Sequence, residues 1–302
     1  MSLIEQAAKR LEELRRAGVE TPDTAGNPRI PVVQGAKGSA VIHGNSANPI
    51  GASSKPTPPI HDRPSPLTLD FVKLARNGFV TPDTPRSRVA EEFRVLKRPL
   101  IANATKHGKP IKNGNLIMVT SSVPGEGKTF TAINLAMSIA MELDQTVLLV
   151  DADVARPSLP RLLGLKSSRG LLDILQDSSI DLAQALVKTN IEKLTILPSG
   201  TQHAQSTELL ASDAMARLLD EMSARYSDRI IIFDSPPLLV TTEAHALAMN
   251  MGQIVFVVYA ESTLQSDVKR ALAKIEACPV KLIVLNQART VAQGAYGYGY
   301  AY

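Results

Sequence analysis

A chain of 302 residues, 44% of them hydrophobic, can form one or two domains with a substantial core. Cys278 is the only cysteine, which excludes an intrachain disulfide and favours a reducing compartment. The formal net charge of +4 indicates a mildly basic surface, and no basic run with interleaved aromatics predicts nucleic-acid binding. No apolar stretch approaches the ~20 residues of a membrane-spanning helix. We therefore expect a cytoplasmic protein.

The first 66 residues divide into two predicted segments. Ser2 and Glu5 have capping-box spacing at the start of an amphipathic pattern, and Gly18 suits the end of that helix. A helix this short is marginal alone, so we interpret residues 1–18 as a docking helix. Residues 19–66 are rich in Pro, Gly, Ser and Asn and show no hydrophobic period, which predicts a disordered linker.

The main folded domain is predicted to span residues 67–287, with an amphipathic helix over residues 84–106 near its start. Thr84 is the expected N-cap of this helix, and Pro85 suits its first position. Pro99 should end or kink the helix just beyond Lys97, because proline lacks the backbone N–H that an interior position needs.

From residue 115 onward, apolar segments of strand length alternate with helical periods. Strands are predicted over residues 116–120, 146–150, 194–197, 230–233, 254–259 and 282–285. Their near-continuous Val, Ile and Leu indicate burial on both faces, and the helices between them indicate parallel crossover connections. The pattern predicts a doubly wound α/β fold, with a mainly parallel sheet flanked by helices.

Residues 122–129 read Ser-Val-Pro-Gly-Glu-Gly-Lys-Thr and stand between the first strand and a helix predicted over residues 130–141. This is the context of a P-loop, although Ser122 replaces the first glycine of the motif. Lys128 is the candidate ligand of the β- and γ-phosphates, and Thr129 is a candidate Mg²⁺ ligand. The other predicted nucleotide-binding residues are Val123, Pro124, Gly125, Glu126, Gly127 and Phe130.

Two further strands end in acidic residues. Asp151 and Asp153 follow the second strand, and Asp234 ends an Ile-rich strand in the Walker B pattern. The carboxyl ends of parallel strands form the ligand-binding edge of such a sheet. Acids beside a triphosphate imply either Mg²⁺ between them or a base that accepts a hydroxyl proton. Together with the P-loop, these residues predict a P-loop NTPase that uses ATP and Mg²⁺.

The C-terminal segment, residues 288–302, has no core pattern and concentrates tyrosine. Four of the six tyrosines alternate there with Gly or Ala, at Tyr296, Tyr298, Tyr300 and Tyr302. Such a segment suits entry into an active site, and beside an ATP site it favours tyrosine phosphorylation. Four phosphates would add roughly −6 to −8 charge, which would reverse the net charge and repel neighbouring subunits.

These motifs give the chain a resemblance to the bacterial tyrosine kinases of exopolysaccharide and capsule synthesis. The segments that carry it are the P-loop, Val150-Asp-Ala-Asp, Phe233-Asp-Ser-Pro-Pro, Glu208-Leu-Leu-Ala-Ser and the tyrosine tail. The resemblance implies an ATP-dependent protein-tyrosine autokinase, with catalytic residues Lys128, Asp151, Asp153 and Asp234. Asp151 would join Thr129 and Asp234 at Mg²⁺, and Asp153 would stand near the incoming tyrosine hydroxyl as the candidate base.

The resemblance also implies an assembly and its partners. Glu91, Arg94 and Lys97 correspond to an E-x-x-R-x-x-R oligomerisation motif whose last arginine is lysine here. A homo-oligomer or ring would phosphorylate its tails between subunits. The stand-alone form implies recruitment to the inner face of the membrane by a polysaccharide co-polymerase as activator, and a tyrosine phosphatase as counterpart. The Val-Ala-Arg-Pro sequence of residues 154–157 also resembles the autokinases of exosortase-type systems.

Two alternatives remain from the sequence. A partitioning-type ATPase would share the P-loop fold, but that class carries an early signature lysine where this chain has Val123, and it lacks a tyrosine tail. A nucleotide-binding scaffold without catalysis is the other alternative. The intact set of Lys128, Asp151, Asp153 and Asp234 argues against it.

Overall fold

The computed structural model describes residues 66–104, 111–226 and 228–289. The docking helix predicted for residues 1–18, the linker up to residue 65 and the tail from residue 290 lie outside the described residues. The four tail tyrosines therefore lie outside them as well. Within the described part of the chain, no helix is long and apolar enough to cross a bilayer.

Seven strands form one sheet in the order β3-β4-β2-β5-β1-β6-β7. They are β1 (Leu116–Ser121), β2 (Thr146–Asp151), β3 (Val187–Lys188), β4 (Leu194–Leu197), β5 (Arg229–Asp234), β6 (Gln253–Tyr259) and β7 (Val280–Asn286). Every neighbouring pair is parallel except β3 with β4. The predicted fold and all six predicted strands are confirmed. The two-residue β3 at the sheet edge was not predicted, because two residues are too short to show a period.

Helices flank the sheet on both faces. Those of the described residues are α1 (Phe71–Arg76), α2 (Arg88–Ala104), α3 (Lys128–Ala140), α4 (Leu159–Leu163), α5 (Leu171–Gln176), α6 (Leu182–Ala185), α7 (Ser206–Leu210), α8 (Asp213–Arg225), α9 (Glu243–Ala248) and α10 (Gln265–Lys274). Alternate residues of the central strands contribute to two separate cores, because successive side chains point to opposite faces of a sheet. Leu148 lies in one core and Leu149 in the other. This two-sided burial explains the near-continuous apolar runs.

The helix predicted over residues 84–106 begins later than expected. Thr84 lies in a turn, where its N–H donates to the carbonyl of Thr81 at 3.0 Å. Ser87 caps α2 instead, since its hydroxyl accepts from the N–H of Ala90 at 3.2 Å. A capping hydroxyl is needed where the first helical N–H groups lack partners, and Ser87 satisfies this need three residues after Thr84.

Pro99 does not end α2: of the two predicted effects of this proline, an end or a kink just beyond Lys97, the end does not occur. The helix continues to Ala104, and Leu100 is fully buried directly after the proline. Pro99 and Val95 are both exposed. The carbonyl that loses its i+4 donor is that of Val95, on the solvent side of the helix, where water can replace the donor. Burial of the opposite face keeps the helix intact.

Candidate active site

The P-loop connects β1 to the N-terminus of α3. Gly125 and Gly127 have φ angles of 88° and 96°, in the left-handed region that L-residues with side chains rarely adopt. Gly127 is the N-cap of α3, and Lys128 and Thr129 form its first turn. The loop therefore directs backbone N–H groups and a helix N-terminus at one point, an arrangement that binds anionic phosphate.

Lys128 is paired with the predicted base. Its Nζ lies 2.6 Å from Oδ2 of Asp153, and the two side chains are 12% and 6% exposed. Oδ1 of Asp153 accepts a weaker hydrogen bond from the N–H of Arg156 at 3.3 Å. An incoming triphosphate would compete with Asp153 for the ammonium group, because both are anionic ligands of the same cation.

Asp151 and Asp234 lie side by side at the ends of β2 and β5, where they are register partners. Both residues are fully buried, and neither carboxylate accepts a hydrogen bond of ordinary geometry from any described residue. Burial raises the pKa of Asp151 well above its usual value, and the neighbouring charge of Asp234 adds to the increase. Burial also raises the pKa of Asp234 to about 6, which Lys128 and Thr129 only partly oppose.

Two buried carboxylates without a well-formed hydrogen bond fit a bound divalent cation, since a positive ion would remove the penalty of burying their charge. No group of three His, Cys, Asp or Glu side chains in the described residues forms a protein cage for a metal. Magnesium does not need such a cage, because it is usually held by one or two carboxylates together with water and substrate phosphates. The residues therefore fit the predicted Mg²⁺ and Thr129 would complete the set.

Three contacts of the P-loop were not predicted. Glu126 is only 2% exposed. Its carboxylate accepts hydrogen bonds from the N–H of Val123 at 2.7 Å and from the hydroxyl of Thr263. Its carbonyl accepts from Nδ2 of Asn286 at 2.9 Å. Asn286 is a polar residue at the carboxyl end of β7. The rule that identified Asp151 and Asp234 could therefore have identified it too.

The remaining predicted residues have different surroundings. The ring of Phe130 packs against Phe79 and Phe93, at centroid distances of 5.1 and 6.5 Å, so its side chain belongs to the core. Glu91 is exposed, Arg94 is half-exposed, and the two side chains are paired with each other.

Lys97 is buried within the subunit, contrary to the expectation that it lies on an oligomerisation surface. Its Nζ lies 2.6 Å from the carbonyl oxygen of Ser138 and 2.6 Å from Oε1 of Glu142. Ser138 is in the last turn of α3, where carbonyls lack partners within the helix. The ammonium group of Lys97 therefore caps the C-terminal end of α3 within the same subunit.

Residues 114–278 match a family model described as an AAA domain. The tyrosine-protein kinase YwqD of Bacillus subtilis (strain 168) is 31% identical over 229 residues, which are 75% of this chain and 92% of YwqD. The succinoglycan biosynthesis transport protein ExoP of Rhizobium meliloti (strain 1021) is 34% identical over 201 residues, 66% of this chain and 24% of ExoP. Several matched relatives are similarly long, so this chain spans about a quarter to a third of their length.

The kinase domain of the Escherichia coli tyrosine kinase ETK has the same architecture. It is similar with a TM-score of 0.62 and 25% identity, over 80% of this chain and 94% of that domain. The similarity to YwqD extends across nearly all of that kinase, and the P-loop residues that a phosphotransferase needs are present here. The resemblance stated from the motifs is confirmed: the chain belongs to the bacterial tyrosine kinases and is a protein-tyrosine kinase.

Proposed function

We propose that this kinase binds ATP with Mg²⁺ at the P-loop and phosphorylates the tyrosine cluster of its own tail between subunits. The observation that carries the proposal is the pair of buried carboxylates of Asp151 and Asp234, which lack well-formed hydrogen bonds and lie near the charge of Lys128. Such a pair is expected where a cation and a triphosphate bind together.

Each residue of the site has a proposed role in phosphoryl transfer. The loop amides of residues 123–130 and Lys128 bind the phosphates, and the N-terminus of α3 adds positive potential. Thr129, Asp151 and Asp234 hold Mg²⁺, which supplies charge neutralisation for the triphosphate. Phosphoryl transfer depends mainly on such positioning and on electrostatic stabilisation.

Asp153 is the proposed base. When the triphosphate draws the ammonium of Lys128 away, the carboxylate of Asp153 becomes free to accept a proton. The tyrosine oxygen then bonds to the γ-phosphorus, the bond from that phosphorus to the bridging oxygen of ADP breaks, and the phenolic proton passes to Asp153. Lys128 follows the phosphates and compensates the charge that develops on them.

The assembly and its regulation are proposed from the family. Glu91 and Arg94, which solvent reaches, would contribute to a homo-oligomer, and the kinase domain would span residues 67–287. The name of ExoP concerns succinoglycan biosynthesis transport, which supports a role in the control of exopolysaccharide synthesis or export. A membrane co-polymerase would activate the kinase and recruit it from the cytoplasm to the inner face of the membrane. A tyrosine phosphatase would reverse the modification.

The proposal is tested by incubation of the full chain with Mg²⁺ and γ-labelled ATP, followed by location of the label by peptide mass spectrometry. We expect label on Tyr296, Tyr298, Tyr300 and Tyr302. Replacement of all four by Phe should remove most of the label without weakening ATP binding. Tyr226→Phe is the matched control, because it removes a tyrosine of the kinase domain instead.

Lys128→Met should abolish labelling, since the ammonium that follows the transferred phosphoryl group is lost. This variant also leaves Asp153 buried without its cation, so the double variant Lys128→Met with Asp153→Asn controls for that uncompensated charge. Thermal unfolding of both variants checks the fold. Labelling of the tail by folded Lys128→Met would refute the catalytic assignment, and ATP turnover without any label would favour a partitioning-type ATPase.

A further inference from the structure

Glu126 places a negative charge inside a loop whose proposed ligand is also negative. Its carboxylate is directed into the protein and is held by two donors, the N–H of Val123 and the hydroxyl of Thr263. A buried carboxylate is tolerated only when donors compensate it, so these two hydrogen bonds decide where this side chain can lie. Because Val123 and Glu126 are in the same loop, the first bond also closes the loop on itself.

Thr263 is itself fixed in orientation. Its hydroxyl accepts a hydrogen bond from the N–H of Tyr259 at 3.1 Å, and its own N–H donates to the carbonyl of Tyr259 at 3.0 Å. The hydroxyl proton is therefore left to donate to Glu126. Tyr259 is the last residue of β6, so this contact ties the P-loop to the end of a central strand.

Asn286 ties the same loop to the end of β7. Its Nδ2 donates to the carbonyl of Glu126, and its Oδ1 accepts from the N–H of Gln287 at 3.0 Å. The carboxamide lies so close to the loop that a Cβ added at Gly127 would stand 1.9 Å from Nδ2. One residue, Glu126, is thus held through its side chain by Thr263, in the turn that follows β6, and through its backbone by Asn286 at the end of β7.

We propose that Glu126, Thr263 and Asn286 are positioning residues that hold the P-loop in its phosphate-binding conformation before ATP arrives. We name this group the P-loop brace. A loop that is already ordered loses less conformational entropy on binding, so the brace increases nucleotide affinity. The brace contacts the loop and not the transferred phosphoryl group. Loss of the brace should therefore weaken nucleotide binding more than it lowers kcat. The inference rests on the proposed ATP site.

The test compares Thr263→Val with Thr263→Ser in the full chain. Valine has nearly the volume of threonine but cannot donate to Glu126, whereas serine keeps the hydroxyl. We expect Thr263→Val to raise the Kd for ADP and the KM for ATP about tenfold, the size of a lost hydrogen bond to a charged group, with kcat changed less than about twofold. Thr263→Ser should restore wild-type affinity.

Thr189→Val is the matched control for loss of a threonine hydroxyl. The single proton of that hydroxyl is shared between the carbonyl oxygens of Ile191 and Leu194, which lie 3.0 and 2.9 Å away beside the opposite edge of the sheet. The Thr189→Val variant should have a lower melting temperature than the wild type and an unchanged Kd for ADP. Asn286→Ala provides a second test of the brace and should also raise the Kd for ADP.

Four outcomes separate the inference from the proposed function. Raised Kd in Thr263→Val and Asn286→Ala, with rescue by Thr263→Ser, supports the brace. Unchanged affinity in Thr263→Val, with normal binding by the wild type, refutes the brace alone. Equal weakening by Thr263→Val and Thr263→Ser also refutes it, because the hydroxyl would not be the cause. A wild-type chain that binds neither nucleotide refutes the proposed ATP site, and the brace with it.

Discussion

Replacement of Lys97 by Met tests whether this lysine stabilises the subunit or the oligomer. The side chain of Lys97 is 6% exposed, while that of its partner Glu142 is 44% exposed. Methionine keeps an unbranched apolar stem of similar length but has no ammonium group. The substitution therefore removes the hydrogen bond to the carbonyl of Ser138 and the ion pair with Glu142, and leaves most of the packing of α2 on α3 in place.

The magnitude follows from these two contacts. A buried carbonyl that loses its donor costs ~1–3 kcal/mol, and Ser138 is almost fully buried. The ion pair adds less than ~1 kcal/mol, because Glu142 is half-exposed and solvent screens its charge. Part of this lost stability is recovered, because methionine carries no charge and the free-energy cost of desolvating a buried ammonium group disappears. We expect Lys97→Met to lower the free energy of unfolding by about 2 kcal/mol.

The assay is urea unfolding of the full chain, combined with light scattering to measure the oligomeric state. Arg94→Met is the matched control on the same helix, since Arg94 is half-exposed, far more than Lys97, and pairs with the exposed Glu91. It should change the free energy of unfolding by less than ~1 kcal/mol. If Lys97→Met dissociates the oligomer but leaves subunit stability unchanged, the assignment of Lys97 to the interior is refuted.

Two further predictions concern the nucleotide site. Burial raises the pKa of Asp234 to about 6, so the folded state binds a proton on this carboxylate more tightly than the unfolded state does. Without Mg²⁺, the protonated carboxyl therefore contributes to the free energy of unfolding at low pH, and this contribution is lost as pH rises through about 6. Asp234→Asn should flatten this pH dependence in urea titrations with a chelator, and an unchanged slope would refute the assignment. Gly127→Ala should weaken ADP binding about tenfold or more in calorimetry, since alanine is strained at a φ of 96° and displaces Asn286. Gly164 also has a left-handed φ of 76°, but no atom lies near its missing Cβ, so Gly164→Ala should leave ADP affinity unchanged. If Gly164→Ala weakened ADP binding as much as Gly127→Ala does, general backbone strain and not the contact with Asn286 would be the cause.

The sheet was predictable because its central strands are buried on both faces, which leaves few polar residues within them. Asp151 and Asp234 were predictable for a related reason: a charged residue that directly follows such a strand marks its carboxyl end. The P-loop itself was predictable from its motif, and the structure adds that Gly125 and Gly127 have left-handed φ angles. These features depend on short segments whose physical preferences agree with the fold.

Other features depend on contacts between residues far apart in the chain. Glu126 and Thr263 are 137 positions apart, and Lys97 reaches Ser138 across 41 positions. Local pattern carries no information on such contacts. The sequence therefore predicts Lys97 as a surface residue. Its contact with the C-terminal end of α3 follows only from the tertiary structure. The effect of Pro99 on the helix depends on whether the carbonyl of Val95 faces solvent. Tertiary packing determines this, so the sequence left an end and a kink open.

The position of Asn286 also determines where the tail leaves the domain. Asn286 contacts the P-loop, and three residues later Nε of Arg289 lies 3.6 Å from Oε2 of Glu261. Tyr296 is seven residues beyond Arg289, a span of at most ~25 Å for an extended chain. The described residues therefore end close to the P-loop. In the proposed autophosphorylation, so short a link would give a tail tyrosine an effective concentration roughly in the millimolar range at the active site of its own subunit. Transfer between subunits requires an assembly that presents the neighbour's tail at a comparable local concentration.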